Sequence, residues 1–333
     1  MVDFSVVICT YNGARKLPQV LERLKLQRST VNICWEVVVI DNNSHDDTAS
    51  VVQHYQQHWR SEIPLRYYFE PRQGLAYARR YAVHHVKAPL IGFLDDDNLP
   101  QETWVYESWW FGHQHSQAGA YGSEVKPIYD APPPAGFRRI APLLAIIERG
   151  DQPFIYTQRH GVLPAGAGMV VRRAAWFAHV PAQPRLAGVT SKSLKNKGED
   201  VETLSYIRDA GWEIWHNPAM VIQHHIPTER IQRSYLLRLC RAVGLNRFPL
   251  RMGRYQPWQQ PFMLFLYMLN DLRRLILYIM SNYRSLPGDV VCACEFALLS
   301  TSLISPLYHS YSKLAETIST RPMLLTQEQS SVR

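Results

Sequence analysis

The sequence predicts an α/β fold: a mostly parallel sheet with helices on both faces, followed by a helical carboxy-terminal extension. Short apolar, β-branched runs alternate with segments of helical periodicity through the first hundred residues, the pattern of a parallel sheet with helical crossovers. The runs show no polar alternation, as expected of strands buried on both faces. Beyond residue 226 the chain turns arginine-rich and then strongly apolar, which ends the strand–helix pattern.

Phe4 to Cys9 is the first strand, broken by Thr10-Tyr11-Asn12-Gly13. Pro18 to Leu26 is a helix, with Leu17, Val20, Leu21, Leu24 and Leu26 near helical spacing. Trp35 to Ile40 is the second strand and ends in Asp41-Asn42-Asn43-Ser44; Asp46, Asp47 and Thr48 open a helix to about Trp59. Leu65 to Phe69 is the third strand, Gly74 to Val86 a helix, and Leu90 to Leu94 the fourth strand. That strand ends in Asp95-Asp96-Asp97-Asn98. Ligands of open parallel sheets lie beyond the carboxyl ends of the strands, which here are Thr10-Tyr11, Asp41 and Asp95 to Asp97. Adjacent carboxylates repel one another unless a cation sits among them. Hard oxygen ligands suit Mg2+ or Mn2+, which then holds a substrate phosphate. The alternative is a solvated acidic turn shaped by Asn98 and Pro100.

After Pro100 the regularity falls. Thr103 to His115 reads as an aromatic-rich helix, and Ala131 to Gly136 as a stiff extended segment. Pro164 to Arg173 is a glycine-interrupted turn into a strand, and Ala187 to Gly198 a mobile loop. Glu199-Asp200 opens a helix that Gly211 stops. Trp212 to His225 reads as two short strands about a proline, ending in His224-His225. Trp104, Trp109, Trp110 and Trp176 are either sugar platforms or core residues.

The net charge of +8 and pI near 9.2 suit anionic partners. The 333 residues allow one large domain or two ordinary ones. Five cysteines are too scattered for a disulfide framework. Cys9 and Cys34, in apolar runs, are expected as buried thiols; Cys292 and Cys294 lack the second pair of a zinc site. No basic-then-apolar leader opens the sequence, so the chain is expected to start in the cytoplasm. One glycine, Gly13, follows the first strand. That argues against a nucleotidyltransferase phosphate loop and a dinucleotide-binding fingerprint.

Ser5 to Asn12, Val39 to Thr48, Gln73 to Arg79, Phe93 to Asp97, Gly166-Ala167-Gly168-Met169 and Gly198-Glu199-Asp200 together resemble family 2 of the GT-A glycosyltransferases. A weaker likeness from Gly198 to Arg230 points to the bacterial branch that builds extracellular polysaccharide, including hormogonium polysaccharide. The resemblance implies a Rossmann-like GT-A catalytic domain over residues 1–226, with a nucleotide-sugar-binding half (1–100) and an acceptor half (101–226). It implies an inverting, hexosyltransferase-like enzyme that passes a sugar from a nucleotide-diphosphate sugar to a glycan or lipid-linked acceptor. Thr10, Tyr11, Asn12 and Asp41 would hold the nucleotide base, although Asp41 equally suits an Asx-turn. Arg79 would approach the ribose or diphosphate, or stand solvated beside Arg80. Asp95 and Asp96 would meet the donor, and the Asp-x-Asp pair Asp95 and Asp97 would take Mn2+ or Mg2+. His224 would be a further metal ligand, or else a core or surface histidine. Asp200 would be the base supported by Glu199, or an acid of the first helical turn. The loop Ser191 to Lys197 would close over the diphosphate or lie solvated. A catalytically inactive sugar-binding or scaffold subunit is the non-enzyme alternative.

The arginines from Arg230 to Arg254 come without a nucleic-acid motif, so no nucleic acid is expected as partner. Phe262 to Met280 is long enough to span a bilayer, but Asp271, Arg273 and Arg274 stand near its middle. An in-plane helix at an anionic membrane surface, turning Asn270, Asp271, Arg274 and Tyr278 to water, is expected. Val290 to Tyr308 is a second apolar segment, carrying Glu295 and Pro306. The alternative is a pair of helices buried against the catalytic domain. The extension thus covers residues 227–316, with a flexible tail over 317–333. The expected location is the cytoplasm, peripheral on the inner face of the plasma membrane.

Overall fold

The computed structural model describes residues 2–157, 163–184, 186, 188, 198–253 and 255–330, with side chains to 311. The chain divides into two compact units, Met1–Gln232 and Arg233–Arg333. The strands of the first unit are β1 (Phe4–Thr10), β2 (Trp35–Asp41), β3 (Leu65–Phe69), β4 (Leu90–Asp95), β5 (Asn98–Pro100), β6 (Ala118–Tyr129), β7 (Phe154–Ile155), β8 (Val170–Arg172) and β9 (Glu213–Ile226). Its helices are α1 (Leu17–Lys25), α2 (Thr48–Gln57), α3 (Leu75–His85), α4 (Trp104–Gln114), α5 (Arg173–His179), α6 (Glu199–Asp209) and α7 (Thr228–Ile231).

Among the described residues these strands form one sheet in the order β3-β2-β1-β4-β8-β6-β9-β5, with β7 on β9. β3, β2, β1 and β4 run parallel. β8 is antiparallel to β4 and β6, β6 and β9 are parallel, and β5 returns antiparallel to β9. Side-chain alternation along β1 explains the two helical layers. Phe4, Val6 and Ile8 pack with Leu17, Val20, Leu21 and Leu24 of α1, Val52 of α2 and Trp104 of α4. Val7 and Cys9 point the other way, onto Ala78, Ala82 and Val83 of α3, Trp176 of α5 and Leu204 and Ile207 of α6. A strand covered on both faces needs no polar positions, which accounts for the continuous apolar runs.

β9 is one strand rather than two. Its register on β6 shifts after the Ser123–Asn217 pair and resumes at Glu124–Val221, so Pro218, which has no N–H to give, leaves the ladder in a bulge. Trp104 and Trp176 are buried and belong to the core; Trp104 Nε1 donates to Ser123 Oγ at 3.0 Å. Trp110 is 42% exposed. Cys9 is buried as expected, but Cys34 is exposed because it stands just before β2 begins.

The second unit is helical: α8 (Arg233–Leu245), α9 (Arg247–Met252), α10 (Gln260–Asn282) and α11 (Val290–Ser330). α8 packs along α11, burying Leu236, Leu239 and Cys240 with Val291, Cys294 and Ala297. Of the four residues expected to meet water, Asn270 and Arg274 are exposed, whereas Asp271 and Tyr278 turn inward. Asp271 is 1% exposed. It accepts from Arg251 Nη1 at 2.6 Å and Nη2 at 3.0 Å and from Ser302 Oγ at 2.7 Å. Tyr278 donates to Glu295 Oε2 at 2.8 Å. Partners for the Asp271 charge hold that residue inward and leave the apolar stripe outside. α11 continues as helix to Ser330, where polarity suggested a tail from Thr317; Leu, Ala, Glu, Lys and Gln are strong helix formers whatever their polarity. Among the described residues one helical stretch, Val290–Tyr311, is long and apolar enough to cross a membrane by length and composition, with mean hydropathy 1.7.

Candidate active site

The parallel registers bring three polar strand ends together. Thr10 pairs with Asp41 across β1 and β2, and Cys9 with Asp95 across β1 and β4. The chain then reverses through Asp96 and Asp97 into β5, where Asn98 pairs with His224 of β9. Asn98 secures the reversal. Its Oδ1 accepts from Asp95 N at 3.1 Å, and its Nδ2 donates to Asp97 Oδ1 at 3.3 Å.

The three carboxylates fan apart to different partners. Asp95 Oδ1 lies 3.7 Å from Arg79 Nη2. Asp96 accepts from Thr10 Oγ1 at 2.8 Å and faces Lys16 Nζ at 3.5 Å. Asp97 faces Lys16 Nζ at 3.5 Å, Arg230 Nη2 at 3.4 Å and His224 Nε2 at 3.7 Å. Their acidities diverge accordingly. Burial pushes Asp95 up to about 6, against the pull of Arg79 and with help from Asp97 and Asp96. Burial also raises Asp96, with Lys16 opposing. For Asp97 burial raises, but His224, Arg230 and Lys16 outweigh it and hold the group below the usual carboxylate range.

Arg79 is buried and carries its guanidinium between two acids, Asp95 and Glu199, the latter at 3.2 Å from Nη1. It is not a solvated helix residue, and its charge is directed to carboxylates. Glu199 opens α6 next to Gly198, whose N–H it accepts at 3.1 Å. Burial, reinforced by Asp200 and opposed by Arg79, raises Glu199 to about 7. Asp200 accepts from Gly166 N at 2.8 Å and from Val201 N at 2.8 Å. Asp95, Arg79 and Glu199 therefore link the end of β4 to the start of α6, beside Asp200.

On the β2 side, Asp41 is buried and accepts from Ser44 N at 2.8 Å and Tyr67 Oη at 2.8 Å, so the Asx-type turn forms. Asn12 stands in the left-handed region at φ 52°. Its N–H donates to Ser44 Oγ at 2.9 Å, and its Oδ1 accepts from His45 N at 2.8 Å. Tyr11 meets the His45 ring edge to face at 6.3 Å. Gly13 lets Thr10 and Asp96 approach, since a Cβ there would collide with Thr10 Oγ1.

Among the described residues no three His, Cys, Asp or Glu side chains gather at metal-ligand distance. Asp97 and His224 face one another, a pair that fits an ion keeping its other positions for water and phosphate. Asp95 lies beside Arg79, so of Asp95, Asp97 and His224 the structure brings Asp97 and His224 to face one another. The loop Ser191 to Lys197 lies outside the described residues. Sequence reasoning gave Lys16, Arg230 and Asn42 no role in this site, and read Asn98 only as a shaper of the acidic turn. Asn42 Oδ1 accepts from Gly74 N at 2.7 Å and its Nδ2 donates to Arg72 O at 2.7 Å, fixing the entry to α3 and so Arg79. Its signal was its place directly after a strand-end aspartate.

Residues 5–127 match the family described as Glycosyl transferase family 2. That segment is similar to the family 2 glycosyltransferase domain. The matched segment contains the acidic triplet, whereas Glu199, Asp200 and His224 lie beyond it. Validoxylamine A glucosyltransferase of Streptomyces hygroscopicus subsp. jinggangensis is 39% identical over 103 residues, which are 30% of this chain and 23% of that protein. The match thus spans under a quarter of that relative's length. A mannosyltransferase from Pyrobaculum calidifontis, solved with GDP-Man and Mn2+, is similar at TM-score 0.58 and 18% identity, over 93% of this chain and 87% of that one. Residues 1–349 of S. aureus TarS, solved with UDP, are similar at TM-score 0.51 and 13% identity, over 93% and 92%. These likenesses concern architecture, and the fold is GT-A.

Proposed function

We propose that the protein is an inverting glycosyltransferase that moves a sugar from a nucleotide-diphosphate sugar to a hydroxyl of a glycan or lipid-linked acceptor. The reaction belongs to extracellular polysaccharide synthesis of the hormogonium polysaccharide type, assisted by Mn2+ or Mg2+. The observation that carries this reading is the buried chain of Asp95, Arg79 and Glu199, which joins a strand-end acidic turn to a helix-start carboxylate, Asp200. The nucleotide and Mn2+ named with the two solved neighbours support the donor class and the ion.

In this reading Thr10, Tyr11, Asn12 and Asp41 frame the base, with Asp41 using lone pairs beyond those taken by Ser44 and Tyr67. Asp95 and Asp96 face the ribose. Asp97 and His224 would hold the divalent ion, which would offset charge on the leaving diphosphate. Lys16 and Arg230, both within reach of Asp97, add positive charge at the same place. Asp200 takes the proton of the acceptor hydroxyl as that oxygen bonds to the anomeric carbon. The bond from that carbon to the phosphate oxygen breaks on the opposite face, its electron pair leaves with the nucleoside diphosphate, and the configuration inverts. Two backbone N–H groups, of Gly166 and Val201, hold and aim Asp200. Arg79 and Glu199 are positioning residues. A lipid-linked acceptor places the protein on the cytoplasmic face of the plasma membrane, peripheral to it.

The test is release of nucleoside diphosphate from a panel of nucleotide sugars with Mn2+ or Mg2+, with and without an acceptor glycan. Release from one donor, accelerated by acceptor, is expected. Nucleotide binding without release from any donor would leave a sugar-binding subunit. Pyrophosphate release from a nucleoside triphosphate and a sugar phosphate would make it a nucleotidyltransferase.

A further inference from the structure

We propose that the outer face of α10 is a docking surface that lies in the plane of an anionic lipid bilayer. α10 has 23 residues, about 34 Å at the helical rise. Phe262, Phe265, Leu269, Leu272, Ile276 and Met280 are 43% to 69% exposed. They recur at steps of three and four, so they form one stripe along the whole helix. The helix cannot roll to hide them, because its other side is committed. Asp271 is paired with Arg251 and Ser302, and Tyr278 with Glu295. A rotation would strand a buried carboxylate.

So continuous an apolar surface marks contact with protein or lipid, and the charge on the face decides between them. Arg273 is exposed within the stripe, its Nη2 donating to Asn270 Oδ1 at 3.3 Å. Asp271 is the one acid in α10, and it points inward. A second copy docking through the same face would bury two Arg273 side chains and offer neither a carboxylate. Lipid phosphates supply that counter-charge at the depth of an interfacial helix, within reach of an arginine extended from an apolar face. Residues 233–311 hold nine arginines and three acids, so the unit is drawn to the same anionic surface. Asp271, Arg273 and Arg274 in the middle of α10 oppose insertion across the bilayer. Docking by this face rests on the membrane-peripheral placement proposed above and not on the transfer chemistry, which nucleotide release reads separately.

The experiment is flotation of the full chain with vesicles of phosphatidylcholine alone and of phosphatidylcholine with about a quarter phosphatidylglycerol. Wild type is expected to float with the anionic vesicles and far less with the neutral ones. A Phe265→Asp, Leu269→Asp double variant should lose more than about tenfold in binding, with an unchanged melting temperature because both positions are exposed. Arg273→Gln should lose about fivefold, on anionic vesicles only. Wild-type protein that floats with neither vesicle would overturn the proposal. So would a mass of two chains by light scattering that the double variant abolishes, since the face would then belong to a second copy. Membranes that release the protein to detergent but not to alkaline carbonate would mean that it spans.

Discussion

Asp97 meets Lys16, Arg230 and His224, whereas Asp200 meets the N–H groups of Gly166 and Val201. The first setting suits charge exchanged with an ion and a diphosphate, the second a fixed proton acceptor. Asp97→Asn is therefore expected to abolish metal-dependent transfer while circular dichroism stays that of the wild type. Unchanged turnover at saturating Mn2+ would remove Asp97 from the ion's site. Asp200→Asn should lower kcat by about a thousandfold and leave donor Kd nearly unchanged, because the group acts on the acceptor. An equal loss of donor affinity would make the residue structural. The product anomer should be opposite to the donor's, and a retained anomer would sink direct displacement. Asp97, Asp200 and His224 were legible as candidates because they stand in motifs or near the end of a strand. The partners of Arg79 were not, because Glu199 is 120 positions away and no local pattern encodes such a contact. Lys16 and Arg230 were missed because a cation in sequence reads the same whether it is solvated or aimed at a carboxylate.

The turn before β8 and the start of α6 act together. Gly166 gives its N–H to Asp200 and lies so close to Arg79 that an added Cβ would stand 2.7 Å from Nη1 and nearer still to Nη2. Arg79 cannot yield, being held by Asp95 and Glu199, so the turn must. Gly166→Ala should therefore shift the donor to Asp200 and cut kcat about a hundredfold, while donor Kd, read by nucleotide titration, stays near wild type. Wild-type kcat in that variant would show that the turn does not set the carboxylate. The sequence flagged this turn by its glycines but could not show which side chain they make room for. The four parallel strands were readable because each is buried on both faces and so uniformly apolar. β9 was read as two strands because Pro218 breaks the pattern locally, and only pairing with β6 across the bulge restores one ladder. β5 was read as part of a turn, since three residues carry no period, yet it fixes His224 beside Asp97.

Each unit has its own charged centre. That of the second unit is Asp271 with Arg251 and Ser302. Burial raises the Asp271 carboxyl, but the bonds from Arg251 and Ser302 outweigh it and hold the group below its ordinary value of 3.8. A depressed folded-state value means that the contribution is fully present above pH 3.8 and is lost as pH falls through the folded value. Asp271→Asn should cost about 3–5 kcal/mol at pH 7, read by thermal or urea unfolding of the full chain, and the gap from wild type should narrow below pH 3.8. An equal deficit at pH 3 and pH 7 would mean that shape, not charge, is lost. The amphipathic pattern of α10 was visible in the sequence, but not that Asp271 turns inward, because the arginine that draws it lies on another helix. The exposure of Cys34 has a practical consequence. Of the five cysteines it alone is exposed, and burial pushes the thiol of Cys9 up to about 12. A maleimide dye would therefore attach at Cys34, at the amino end of β2. That is roughly 23 Å along the strand from Asp41, within range for energy transfer to a fluorescent nucleotide seated at the strand ends, and the natural chain can report donor capture without a single engineered residue.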